Sequence, residues 1–270
     1  MIDGVRNSLA AAAMRPVLVD FGAFELQSYG LSKALAALVA GWLLQRELAR
    51  RGQPVEAGFP LAVAALVGGF LGAKLYYLVE QSGGGLSPHD FGGSGFTWYG
   101  GMIGGAIAVV LVARRSGIAL GQMAGMAAVP LAVAYGIGRL GCLLAGDGTY
   151  GGPTDLPWGM AFPEGTMPTS ERVHPAPLYE ALATFAIAGL LWSLRDRLTP
   201  VALFGVFSVL FGAARLLVEF VRLNESVAVG LTAPQLWSLA LMALGAALLA
   251  RERYTVGGRA RHRLARGTAA

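Results

Sequence analysis

The sequence predicts an all-α integral membrane protein of about seven transmembrane helices, with an extra-cytoplasmic loop region between the fourth and fifth. Three observations predict it. The chain is 55% hydrophobic and only 14% charged, against roughly 25% charged for soluble domains. Its apolar residues fall into blocks near the ~18-residue length that reads as a membrane span. Its arginines stand just outside those blocks instead of covering one surface.

The first span is expected over 30–44, ending at Arg46, Arg50 and Arg51, and the second over 60–79. The stretch 81–95 is rich in Gly and Ser, holds no Lys or Arg, and reads as turns. The third span is expected over 98–113, before Arg114 and Arg115, and the fourth over 123–137. Segment 138–173 carries Gly, Pro, Asp and Thr and is expected as a loop region. The fifth span is expected over 176–194, before Arg195 and Arg197, the sixth over 201–221 and the seventh over 234–250. The domain reading is therefore an N-terminal extra-cytoplasmic segment 1–28, a membrane domain 29–250 and a basic tail 251–270. No cleavable leader is expected, because the apolar stretch 9–14 is short and precedes Arg15 and Pro16.

Charge asymmetry orients the chain. Arg46, Arg50, Arg51, Arg114, Arg115, Arg195, Arg197 and the tail arginines 251, 253, 259, 261, 263 and 266 make up most of the 21 Lys and Arg residues, and all fall on one side of the expected spans. By the positive-inside rule that side is cytoplasmic and the N-terminus lies outside. Loop region 138–173, with Asp147, Asp155, Glu164 and Glu171, is then extra-cytoplasmic. The net charge of +5 fits topology signals and contact with anionic membrane lipids, not a nucleic-acid surface. The single cysteine, Cys142, excludes an internal disulfide. No internal repeat is evident, which argues against an inverted-repeat transporter.

Ionisable groups at membrane depth are costly and mark function. Arg139 sits between Gly138 and Gly141 at the outer end of the fourth span, where a guanidinium fork suits a phosphate or a snorkelling contact with headgroups. Arg215 and Glu219 are four apart on one helix face, either a structural ion pair or an acid holding an arginine toward an anion. Trp98-Tyr99-Gly100-Gly101-Met102-Ile103-Gly104-Gly105 opens the third span with glycines that permit close packing. His174-Pro175-Ala176-Pro177-Leu178-Tyr179-Glu180 opens the fifth, and its histidine is of the type that takes or gives a proton near neutral pH. Glu180 needs a buried partner, with Arg139 and Lys74 as candidates. His89, His174 and His262 are too dispersed for a metal site.

In this order the segments resemble the prolipoprotein diacylglyceryl transferase family. Ser28-Tyr29-Gly30-Leu31 opens the first span as in that family. Gly72-Ala73-Lys74-Leu75-Tyr76-Tyr77 is similar to its Gly-x-Arg-x-x-Tyr, and Tyr99-Gly100-Gly101-Met102-Ile103-Gly104 to its His-Gly-Gly segment. Gly138-Arg139-Leu140-Gly141 starts its signature. Pro153-Thr154-Asp155-Leu156-Pro157-Trp158-Gly159-Met160-Ala161-Phe162-Pro163 closes it. His174-Pro175 with Leu178-Tyr179-Glu180, and Arg215, Glu219, Phe220 and Arg222, match two further motifs.

The resemblance implies transfer of a diacylglyceryl group from phosphatidylglycerol to the lipobox cysteine of a prolipoprotein, read through its signal peptide, in the bacterial inner membrane. It implies no cofactor and no metal. Arg139, Arg215, Tyr99 and His174 take catalytic places. Tyr29, Gly100, Gly101, Gly141, Asp147, Gly151, Tyr179, Glu180, Glu219 and Arg222 take substrate-binding places. Several positions depart from the family pattern: Tyr99 stands for its histidine, Cys142 and Ala145 for two asparagines, Asp147 for a glutamate, Lys74 for an arginine and Phe211 for a tyrosine. These departures keep open a paralogue with another acceptor or donor, or a phospholipid binder or flippase. Cys142 itself reads as a small residue filling a packed turn.

Overall fold

The computed structural model describes residues 15–22, 25–82, 85–92, 95 and 97–267, without the side chains of 89, 98 and 254–267. The apolar stretch 9–14 and Arg6 lie outside the described residues, as does most of the expected N-terminal segment. Seven long helices form the chain's frame among the described residues: α1 Ser28–Arg50, α2 Gly58–Gln81, α3 Trp98–Arg115, α4 Leu120–Ala145, α5 Ala176–Leu194, α6 Pro200–Glu219 and α7 Ala233–Gly267.

Among the described residues, five segments are long and apolar enough to cross a membrane: Val55–Gln81, Leu120–Ala145, Ala176–Leu194, Pro200–Glu219 and Ala233–Arg253. The helices α1 and α3 stand apart from these by their charges. Lys33, Arg46, Glu47 and Arg50 punctuate α1, and Arg114 and Arg115 end α3. The helical multi-pass class expected from hydropathy is the class observed.

One expected boundary is corrected. The fourth span was expected to end at 137, yet α4 continues to Ala145, so the first eight positions of the expected loop region are helix. Glycine is tolerated inside membrane helices where a neighbour packs against it. Here a Cβ on Gly141 would overlap the Ser32 side chain of α1. Arg139 and Cys142 therefore lie on a helix, not in a turn. The tail expected to begin at 251 continues α7 without a break, because Arg and Ala are strong helix formers that need no apolar face to extend a helix.

The chain divides into two compact units, one running up to Ala36 and resuming at Ala127, the other Ala37–Met126. In the first unit, Ala128, Val129 and Ala132 of α4 pack with Ile187, Ala188 and Leu191 of α5 and with Leu203 and Phe207 of α6. The start of α6 is set locally: Pro200 occupies the first turn and Thr199 Oγ1 accepts from Ala202 N at 3.2 Å. Among the described residues, three antiparallel hairpins of two strands accompany the helices. They are β1 Val17–Asp20 with β2 Glu25–Gln27, β3 Met160–Phe162 with β4 Thr169–Val173, and β5 Ser226–Ala228 with β6 Leu231–Thr232. Phe162, 1% exposed, anchors the second hairpin and stacks on Tyr150 at 5.0 Å.

In the second unit α2 and α3 meet along glycines. A Cβ at Gly100 would strike the Gly72 carbonyl, and one at Gly104 would strike the Gly68 carbonyl. Backbones that approach this closely exchange packing and weak Cα–H contacts where lipid offers no hydrophobic drive. Glu47 near the end of α1 accepts from Arg50 Nε at 2.9 Å and Arg51 Nε at 2.7 Å. Lys74 donates to the Gly92 carbonyl at 2.9 Å.

Candidate active site

In the first unit, α4, α5 and α6 bring five charges to one place. Pro175 and Pro177 start α5, which puts Glu180 just past its first turn, 2% exposed. Arg139 reaches it from α4, with Nε 2.7 Å from Glu180 Oε2. Arg215 reaches it from α6 and pairs with Glu180 Oε1. Glu219, four residues further on the same face, lies 3.4 Å from Arg215 Nη2. Arg222, just beyond α6, stands 4.0 Å from Glu180 Oε2 and 3.9 Å from Glu219 Oε2. Burial, with Arg215 beside it, lowers the Arg222 pKa from its usual value.

A second set of polar contacts fixes the acids. Glu219 Oε1 accepts from Asn224 Nδ2 at 2.5 Å and from Thr232 Oγ1 at 2.9 Å. Tyr135 of α4 donates its hydroxyl to Glu180 Oε1 at 3.1 Å and accepts from Arg139 Nε and Nη2 at 3.1 and 2.9 Å. Tyr135, Glu180, Thr184, Phe211, Ala214 and Arg215 line a small cleft. Glu180 Oε2, Glu219 Oε2 and Arg222 Nη1 are buried without a hydrogen bond among the described residues. Three guanidiniums against two carboxylates leave one positive charge in excess, and a buried excess charge selects an anion.

The loops beside this cluster are tied to it by backbone. Gly151 N donates to the His174 carbonyl at 2.8 Å and Gly152 N to the Val221 carbonyl at 2.9 Å. A Cβ on Gly151 would strike that same Val221 carbonyl, so only glycine lets the loop lie this close to the end of α6. Trp158 Nε1 donates to Tyr179 Oη at 2.8 Å, and Tyr179 Oη lies 3.3 Å from His174 Nδ1. Asp147 accepts from Thr149 N and Oγ1 at 3.2 and 2.6 Å, which shapes the turn after α4. Desolvation, then Asp147, raises the Tyr150 pKa. Tyr29 is exposed, with the Lys33 ammonium 4.6 Å from its ring centre. Cys142 is buried, 3.9 Å from Arg139 Nη1.

Of the residues singled out in sequence, the structure brings Arg139, Glu180, Arg215, Glu219 and Arg222 into one network. It joins His174, Tyr179 and Gly151 through the adjacent loop. The pairing of Glu180 is with Arg139. Tyr99, half-buried in the first turn of α3, belongs to the second unit with Gly100 and Gly101. There Gly100 serves the close packing of α3 on α2.

The family model described as prolipoprotein diacylglyceryl transferase matches residues 16–251. The chain belongs to the prolipoprotein diacylglyceryl transferase family. It is similar to a phosphatidylglycerol–prolipoprotein diacylglyceryl transferase of Clostridium tetani, 33% identical, covering 77% of this chain and 86% of the relative. Proteins of the same name from Methylocella silvestris and Methylococcus capsulatus are 31% and 32% identical, each covering 90% of this chain and 95% and 97% of their own lengths. As a family member the chain is a multi-pass bacterial membrane transferase.

Several residues of the cluster carried no signal strong enough in sequence. Tyr135 had one available clue, its position four before Arg139 on the same helix face. Asn224 and Thr232 reach Glu219 only because the β5–β6 hairpin folds back on the end of α6, which no local pattern announces. Phe211 packs edge-on against Tyr135 with ring centres 4.8 Å apart.

Proposed function

We propose that this chain transfers the diacylglyceryl group of phosphatidylglycerol to the lipobox cysteine thiol of a prolipoprotein. The observation that carries the reading is the excess positive charge of Arg139, Arg215 and Arg222 over Glu180 and Glu219 in a half-buried site. Relatives named for phosphatidylglycerol and a prolipoprotein support it. The cysteine sulfur forms a bond to the terminal glycerol carbon of the diacylglyceryl group. The carbon–oxygen bond to phosphate breaks, its electron pair leaves on glycerol phosphate, and the thiol proton passes to a base.

Arg139 and Arg215 are assigned to the phosphate, where charge-assisted guanidinium hydrogen bonds take up charge growing on the leaving oxygens. Arg222 adds charge beside them. His174 is assigned to the thiol proton, and Tyr179 to holding its Nδ1 side. Tyr99, a hydrogen-bond donor at neutral pH, is assigned to the lipid phosphate or ester. Glu180 and Glu219 aim the arginines. Tyr29, Gly100, Gly101, Gly141, Asp147 and Gly151 are assigned to substrate contact and close backbone approach. In this reading the enzyme sits in the cytoplasmic membrane with its N-terminus outside, its C-terminus inside, and the signal peptide entering from the outer side.

The test uses the purified protein in phosphatidylglycerol vesicles with a synthetic lipobox peptide. The peptide should gain one diacylglyceryl group, with an equal amount of glycerol phosphate released. Arg139→Lys and Arg215→Lys should each lower the rate roughly tenfold or more, since lysine keeps the charge and loses the fork. Glycerol phosphate without lipidated peptide points to another acceptor. Lipid binding with neither product overturns the transferase assignment.

A further inference from the structure

Between Arg139 and Glu180 stands a phenol that neither charge requires for neutrality. Tyr135 Oη accepts from Arg139 Nε and Nη2 and donates its own proton to Glu180 Oε1. The Arg139 guanidinium also lies over the Tyr135 ring, 5.1 Å from its centre. Nε and Nη2 of Arg139 are thus shared between Tyr135 and Glu180, with Nε 2.7 Å from Glu180 Oε2 and Nη2 3.4 Å from Oε1. The third, Nη1, has one hydrogen-bond partner among the described residues, the Cys142 sulfur at 3.9 Å. The ring is itself held, edge-on against Phe211 across the helix interface.

We propose that Tyr135 is a positioning residue: its hydroxyl fixes the turn of the Arg139 guanidinium so that Nη1 is left for the lipid phosphate. A hydroxyl that accepts two donors from one guanidinium defines a plane, which a carboxylate alone does not at a site with three competing arginines. Without the hydroxyl, only Glu180 holds the Nε/Nη2 edge, and Arg139 is free to turn end-on so that Nη1 and Nη2 pair with the carboxylate, the other bidentate arrangement. Its donors are then spent inside the protein. The inference rests on the proposed function only in taking a phosphate as the ligand.

The experiment is a double-mutant cycle in phosphatidylglycerol vesicles with the lipobox peptide. Tyr135→Phe keeps the ring on Phe211 and removes the hydroxyl. It should lower kcat/KM roughly tenfold, with the melting temperature in detergent close to wild type. In an Arg139→Lys background the same change should cost less than about twofold, because Tyr135 acts through Arg139. An equal loss in both backgrounds, or wild-type kinetics for Tyr135→Phe, overturns the proposal. If Tyr135→Phe does not fold, 4-fluorophenylalanine at 135 replaces it. This analogue keeps the ring and its length and puts a very weak acceptor where the oxygen was, so wild-type kinetics with it overturns the proposal equally. If wild type fails to modify the peptide, the transferase reading fails on its own. The positioning role is then read from the thermal shift caused by phosphatidylglycerol: a smaller shift in Tyr135→Phe supports it and an equal shift overturns it.

Discussion

Arg139 Nε lies 2.7 Å from Glu180 Oε2, and this pair joins α4 to α5 where both helices are otherwise uncharged. Arg215 approaches the same carboxylate from α6, so one acid separates two guanidiniums. Its removal leaves uncompensated positive charge in a low-dielectric setting. Glu180→Gln should cost about 3–5 kcal/mol of stability, seen as a clear fall in melting temperature in detergent. Added phosphatidylglycerol should restore part of it by supplying the missing negative charge. A melt equal to wild type, with and without lipid, would show that the acid does not hold the arginines.

Gly141 is a steric requirement of the first unit. A Cβ there overlaps Ser32, whose hydroxyl donates to the Tyr29 carbonyl at 2.7 Å. Gly141→Ala should destabilise by about 1–3 kcal/mol, and Ser32→Gly in the same chain should recover part of the loss. Thermal unfolding of the two single variants and the double variant measures the coupling. Additive losses would mean that the two sites do not share this space.

The role of His174 separates by pH. If His174 takes the thiol proton, His174→Gln should lower the rate more near pH 6.5 than near pH 9, because a cysteine thiol, ordinarily titrating near ~8.5, ionises unaided at the higher pH. Rates of peptide lipidation across that range provide the measurement. A variant that tracks wild type throughout removes His174 from the proton transfer and leaves Asp147 or the acceptor's own ionisation.

Orientation is read by labelling. A cysteine placed at Gly165 in a Cys142→Ala chain should react with an impermeant thiol reagent on intact cells, and one placed at Gly257 should not. The reverse pattern inverts the topology and moves the proposed substrate entry to the cytoplasmic side.

Hydropathy and charge made the helical frame legible. The fifth helix runs over the expected residues, Ala176–Leu194, because prolines open it and Arg195 follows it. The fourth did not end where expected. Gly138 and Gly141 look like loop residues until Ser32 is seen against Gly141, and that contact is tertiary. The same division holds for the site. Arg215 and Glu219 pair as their spacing implies, since four residues fix a helix face. Whether Glu180 chose Arg139 or Lys74 was open at the level of sequence, because the choice depends on helix packing. Tyr135, Asn224 and Thr232 were not singled out, since an uncharged hydroxyl or amide near a membrane helix carries no cost that draws notice until its partner is known.

The odd number of charges in the cluster has a consequence for turnover. Glu180, Glu219, Arg139, Arg215 and Arg222 sum to one positive charge, so a phosphodiester headgroup with one negative charge brings the occupied site to neutrality. A phosphomonoester carries about 1.5 to 2 negative charges near neutral pH. In the proposed reaction the second negative charge appears together with the thiol proton, so the filled site stays neutral while its base holds that proton and passes neutrality once the proton leaves to water, where burial penalises the surplus. The product complex is less favourable than the substrate complex by the same electrostatics that admitted the lipid.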